Sequence, residues 1–339
     1  MASSTTLPRL AAALLGTALL FACGGGGSDP GGPAPGADAR NGNYTAFATN
    51  GERFTLNVDF DAKSFGFKGL TVPAFAATGA FSNDAVAGTH VFQPPANPGN
   101  TARFRAIDDL IVGSYNFGDG VKPFVASRRF AKNAQEAAGN YNNLGISGTA
   151  AGEDDSTIYT SRINTDNTLQ LCADNVIYGI SRCPSASLRS YALTMDGDTF
   201  NATPSTGTGG DGFSFQVAQA GTSKVYLMSA VNAGTGARFF RIGLPEPTAF
   251  AGGTVWGGSV LGEWGVVNYD VGNYSTTGST FDAKVSSLSG SLTGVGPDGP
   301  VGIRTFEAGR AFLMQNPQLA VLVGARNSPA AGYLQIGGR

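Results

Sequence analysis

Apolar and polar residues alternate along most of the chain. The clearest run is "RFTLNVDF", where Phe54, Leu56, Val58 and Phe60 fall on every second position and so share one face of a strand. From residue 253 onward the same texture recurs in eight stretches, centred near Val255, Val267, Tyr274, Val285, Ile303, Phe312, Val321 and Leu334. Residues 42–132 give eight such stretches and residues 139–245 give eight or nine. Turn-forming runs separate them, among them "MDGDTF" around Gly197 and "GPDGP" around Gly299. A helical reading suits one place only, "AKNAQEAAG" from Ala131, which falls between two of these blocks.

The blocks echo one another. "LIVGSYN" (110–116), "YLMSAVN" (226–232) and "VLVGARN" (321–327) are apolar strands that each end on Asn, and each continues through a Gly- or Pro-containing turn into another strand. The three Asn positions, 116, 232 and 327, lie 116 and 95 residues apart. "FDAKSFGFKG" from Phe60 is matched by "FDAKVSSLSG" from Phe281, and "INTDNTLQL" holds a comparable place in the middle block. Repetition at this period predicts three tandem all-β modules, 42–132, 139–245 and 253–339, of about eight antiparallel strands each. Eight strands close into a small up-and-down barrel without exposed edges. A two-sheet sandwich is the alternative, since the strand count alone does not separate the two.

Composition fits short strands and many turns. Of 339 residues 50 are Gly, 22 Phe and 10 Tyr; 42% are hydrophobic and 14% charged, against about 25% charged in an average domain. The net charge is −2 and the longest basic run is Arg128-Arg129, so no electrostatic footprint for nucleic acid exists.

The first 22 residues place one cation, Arg9, before an apolar run from Leu10 to Ala22, the layout of a signal peptide. The run ends Leu20-Phe21-Ala22-Cys23, which resembles the lipobox of bacterial lipoproteins. That resemblance implies cleavage before Cys23, lipidation of its thiol and anchoring in a membrane by several acyl chains. Residues 23–41, "CGGGGSDPGGPAPGADARN", read as a Gly/Pro-rich tether that lets a folded body clear the lipid surface. Gly24 and Gly25 stand where many lipoproteins retained at the inner membrane carry Asp, which favours the outer membrane. The body resembles the β-barrel lobes of surface lipoproteins of the transferrin-binding protein B type, through "VDFDAKSFGFKG", "STFDAKVSSLSG" and the Gly-Thr-Val-Trp stretch ending at Trp256. Three copies depart from the paired lobes of that type, and no binding residue carries over. The resemblance implies a surface-exposed lipoprotein that binds a protein or ligand.

Cys172 and Cys183, eleven positions apart, are an even pair in an exported chain and predict a disulfide. No metal-ligand spacing or cofactor fingerprint appears. Ser-His-Asp catalysis would have to use His90, the only histidine, and no Gly-x-Ser-x-Gly elbow accompanies it. Glu153-Asp154-Asp155 sits in a Gly/Ser/Thr-rich stretch and reads as a solvated turn. Trp256, Trp264 and Tyr269 form the densest aromatic group, able to clamp a sugar or peptide at a barrel mouth or to fill the third core. The expectation is a non-catalytic outer-membrane lipoprotein whose modules bind an envelope or surface protein or glycan, or act as a spacer. The alternatives are a carrier of a small apolar ligand within one barrel and a hydrolase using convergent carboxylates.

Overall fold

The computed structural model describes residues 36–93, 102–149, 154–173, 176–205, 211–279, 285–306 and 309–339. Its strands form three closed antiparallel barrels in tandem. The first holds β1 (Gly42–Ala48), β2 (Arg53–Asp59), β3 (Ser64–Gly69), β4 (Ala76–Asn83), β5 (Thr89–Gln93), β6 (Arg103–Ile107), β7 (Leu110–Asn116) and β8 (Val121–Ser127). The second follows the four-residue helix α1 (Ala134–Ala137) and holds β9 (Gly139–Gly148), β10 (Asp154–Ile163), β11 (Thr168–Cys172), β12 (Leu188–Asp196), β13 (Thr199–Pro204), β14 (Phe213–Ala220), β15 (Ser223–Val231) and β16 (Arg238–Pro245). The third holds β17 (Gly253–Ser259), β18 (Trp264–Tyr269), β19 (Asn273–Ser279), β20 (Val285–Gly294), β21 (Ile303–Phe306), β22 (Ala311–Gln315), β23 (Leu319–Gly324) and β24 (Leu334–Gly338).

Each strand pairs with the next in sequence, and the first strand of every barrel closes on the eighth. Thr45 to Ala48 pair with Ser127 back to Phe124, Tyr141 to Gly148 with Pro245 back to Arg238, and Trp256 to Ser259 with Gly338 back to Gln335. This closure excludes the sandwich, which would leave the first and eighth strands in separate sheets or at edges. The helix stands where the sequence places it. Its N-cap is Asn133, whose Oδ1 accepts from the Glu136 amide at 2.8 Å.

Each lumen has its own core. The first is lined by phenylalanines, among them Phe54, Phe65, Phe67, Phe92 and Phe104. The second gathers Tyr141, Leu169, Tyr191, Phe200, Phe215 and Tyr226, and the third Val267, Tyr269, Tyr274, Phe306 and Leu322. A further cluster belongs to no single barrel. It joins Phe47, Leu110, Val112 and Val125 of the first, Leu144, Ile146, Leu227 and Ile242 of the second, and Leu319, Val321, Val323 and Ile336 of the third. The three barrels therefore share one apolar junction, where each fully covered side chain contributes about 1.5–3 kcal/mol.

The repeated segments explain themselves here. They contain β7, most of β15 and most of β23, the seventh strand of each barrel. One face of these strands looks into the lumen and the other into the junction, as Tyr226 and Leu227 show on neighbouring positions of β15. A strand covered on both faces is apolar throughout, hence the recurring run. The first strand of each barrel packs on the seventh of another in a cycle: β1 on β15, β9 on β23 and β17 on β7. The contacts are close. Ser229 on β15 donates to the Ala48 carbonyl at 3.1 Å, and a Cβ added to Gly258 of β17 would lie 1.9 Å from Ser114 Oγ of β7.

Three hairpin turns, Asp108-Asp109, Gly221-Thr222 and Asn316 to Gln318, meet at the centre of this ring. Gln318 Nε2 donates to Asp108 Oδ2 at 3.2 Å and to the Ala220 carbonyl at 3.1 Å, so one side chain touches all three barrels. The FDAK echo is less regular. Phe60 to Lys63 joins the second and third strands of its barrel, whereas residues 281–284 lie outside the described residues and between a third strand and a fourth.

Candidate functional site

Cys172 and Cys183 are bonded, with Cα atoms 5.7 Å apart. The loop they close is a clamp between barrels. Its Gly179 amide donates to the Asp298 carbonyl at 2.8 Å, and Thr160 Oγ1 donates to the Tyr178 carbonyl at 2.8 Å. Cys23 and the rest of residues 1–35 lie outside the described residues.

His90 is a filler ring. It stacks on Phe104 at 4.9 Å between centroids and meets Phe60 and Phe81 edge-on, and both ring nitrogens are buried without a hydrogen-bond partner. Burial, then the charges of Arg40, Arg105 and Lys63, push its pKa down to about 4. Of the acidic run, Glu153 and the Asp154 side chain lie outside the described residues. Asp155 makes an ion pair across barrels with Arg326 Nε at 2.8 Å.

The aromatic group does not converge. Tyr269 points into the third lumen with Val267, and its hydroxyl is 3.4 Å from Arg339 Nη2. Trp256 and Trp264 occupy the opposite register of their strands and so the outer face, half-buried and buried respectively.

The three lumens differ in chemistry. The first is packed by aromatic rings, Phe54 stacking on Phe117 at 4.3 Å and Phe65 meeting Phe92 at 4.6 Å. The third is polar at one end, where Tyr274 and Tyr333 both donate to Gln335 Oε1, at 2.9 and 3.3 Å. There a pocket of about 540 Å³ opens beside Glu263, Thr276, Phe306, Leu322 and Tyr333, with Leu261 (67% exposed) and Leu288 (40% exposed) on its lip.

The second lumen holds a charge. Arg241 of β16 faces inward and is buried, opposite Gly145 of β9 and Met228 of β15. Its Nη1 donates to the Ile146 carbonyl and, at 2.8 Å, to the Phe240 carbonyl. None of the described ion pairs includes it. Glycines make the space: a Cβ on Gly145 would sit 2.6 Å from Arg241 Cδ, and one on Gly243 would sit 2.2 Å from Asn143 Oδ1. Tyr159 and Tyr226 are near enough to bear on the guanidinium. Burial raises the pKa of both hydroxyls and lowers that of Arg241. The two hydroxyls also perturb each other, yet no hydrogen bond of regular geometry reaches the Tyr226 oxygen.

Tyr159 also lines the cleft between the second and third barrels, of about 770 Å³, with Ser156, Thr157, Ile158, Ile177, Arg189, Phe312 and Arg326. Among the described residues no group of three or more His, Cys, Asp or Glu side chains is placed to hold a metal ion. The signal for Arg241 was in the sequence, since "FFRIGL" sets one charge inside an otherwise apolar run. The cleft needs two barrels to form, and no local pattern announces it.

No family model matches the chain, and no curated protein matches it.

Proposed function

We propose that this chain is a non-catalytic lipoprotein, held at the bacterial outer membrane by acyl chains on Cys23, whose three-barrel body presents a fixed surface to an envelope protein or glycan. The observation that carries the reading is the shared junction core. Three barrels joined by one apolar cluster and by the side chain of Gln318 hold their outer surfaces in fixed relative positions. A body of that kind, following a lipobox and a Gly/Pro tether of residues 23–41, suits display at a distance from lipid. The exposed Leu261 and Leu288 beside the third barrel's pocket are apolar contact points for a partner.

Two measurements test the two halves of the proposal. Membrane fractionation is expected to find the native chain in the detergent phase and Cys23→Ala in the soluble fraction or uncleaved; a Cys23→Ala chain still processed and still membrane-bound overturns the anchor. Envelope extracts passed over the immobilised chain are expected to yield a retained protein or glycan that Leu261→Asp releases. No retained species overturns the binding reading.

A further inference from the structure

The geometry points to a binding site for a small organic carboxylate with an apolar body, in the cleft between the second and third barrels. The inference rests on the barrels and their contact alone and does not depend on a lipid anchor.

The charge balance comes first. Arg189 and Arg326 line the cleft, and Arg241 lies behind Tyr159 in the second lumen. Asp155 is paired with Arg326 at 2.8 Å, and among the described ion pairs none includes Arg189 or Arg241. Arg241 is the decisive member. A guanidinium withdrawn from water is normally met by a carboxylate, because the desolvation of an unpaired charge is severe. Here two backbone carbonyls, of Ile146 and Phe240, are its hydrogen-bond acceptors. Carbonyls satisfy N–H groups but leave the net charge standing, and in a medium of low dielectric that charge reaches further than in water.

The lumen is also built around it. Gly145 and Gly243 leave the volume that the Arg241 stem and Asn143 occupy, and any side chain at either position would collide with them. A charge kept in place by two close backbone approaches, beside a Tyr226 Oη and an Asn143 Oδ1 that no hydrogen bond of regular geometry reaches, is a polar centre set into a wall of aromatic rings.

The shape of the ligand follows from the rest of the lining. Ile158, Ile177 and Phe312 pack against the junction core and line the cleft together with Tyr159, Arg189 and Arg326. The apolar residues take an apolar body. The guanidinium groups take a carboxylate head, with Arg189 and Arg326 in the lining and the field of Arg241 from within. The volume of about 770 Å³ admits a molecule of the size of an arylalkanoate.

Calorimetric titration of the full chain tests this with 3-phenylpropionate, its neutral analogue 3-phenylpropan-1-ol, and inorganic phosphate. The acid is expected to bind, with the alcohol and phosphate each at least about tenfold weaker, because one lacks the charge and the other the apolar body. Arg189→Gln and Arg326→Gln are each expected to weaken the acid several-fold, and Arg241→Met about tenfold or more. Arg189 is exposed at the barrel rim, so Arg189→Gln decides the matter if Arg241→Met fails to fold. No heat with the acid, equal binding of acid and alcohol, phosphate binding alone, or an affinity unmoved by Arg189→Gln would each overturn the assignment.

Discussion

His90 shows how a residue that looks chemical becomes structural. Its imidazole sits where a fourth phenylalanine would, among Phe60, Phe81 and Phe104, with neither nitrogen satisfied. The folded protein holds its pKa near 4, against about 6.5 in the unfolded chain. Between those values the unfolded state binds more protons, so this residue makes stability rise with pH through the window and fall as the solution is acidified. Urea unfolding at a series of pH values is expected to show a shallower slope between about pH 4 and 6.5 for His90→Phe than for the native protein. At neutral pH the same variant is expected to be more stable by about 1–3 kcal/mol, since two buried unsatisfied nitrogens are removed. Equal slopes would mean that the ring titrates freely. Arg241 is the converse case. Its position inside an apolar run was visible in the sequence, but its lack of an acidic partner depends on which strands face it across the lumen.

Closing eleven positions between Cys172 and Cys183 restricts the unfolded chain by about 3 kcal/mol in the chain-entropy treatment. The same loop reaches the third barrel through Gly179 and Asp298. Reduction is therefore expected to lower the thermal midpoint and to speed proteolysis within residues 176–182, and a midpoint indifferent to reductant would contradict the clamp. Period-two alternation made the eight strands of each block legible, because lumen-facing and outer residues differ in polarity wherever water covers the outer face. Where the junction replaces water, as on β7, β15 and β23, alternation vanishes and the strand reads as a plain apolar run. The repeat was visible there, while its cause, a neighbouring barrel, was not. Barrel and sandwich remained open for a similar reason, since the pairing of β1 with β8 is a long-range fact. Trp256, Trp264 and Tyr269 cluster in sequence, but the strand period sends them to two faces, and sequence density was a poor guide to a site.

As a whole the molecule is one packed body rather than three beads. The junction cluster draws on every barrel, and Gln318 bonds to two neighbours at once. Calorimetry is expected to give a single transition whose calorimetric and van't Hoff enthalpies agree. Leu319→Ala, deep in the junction, is expected to cost about 2–5 kcal/mol and to shift that one transition; separate transitions with only the third responding would refute the shared core. The cyclic packing of β1 on β15, β9 on β23 and β17 on β7 has a consequence for how such a chain is made. The chain emerges N-terminus first, and two finished barrels complete one of the three seams. Val112 on β7 and Leu144 and Ile146 on β9 then wait, dry faces turned to water, until residues 253–324 arrive to cover them. The emerging chain is at its stickiest when about two-thirds of it is out, and it is then that a holding chaperone has most to shield.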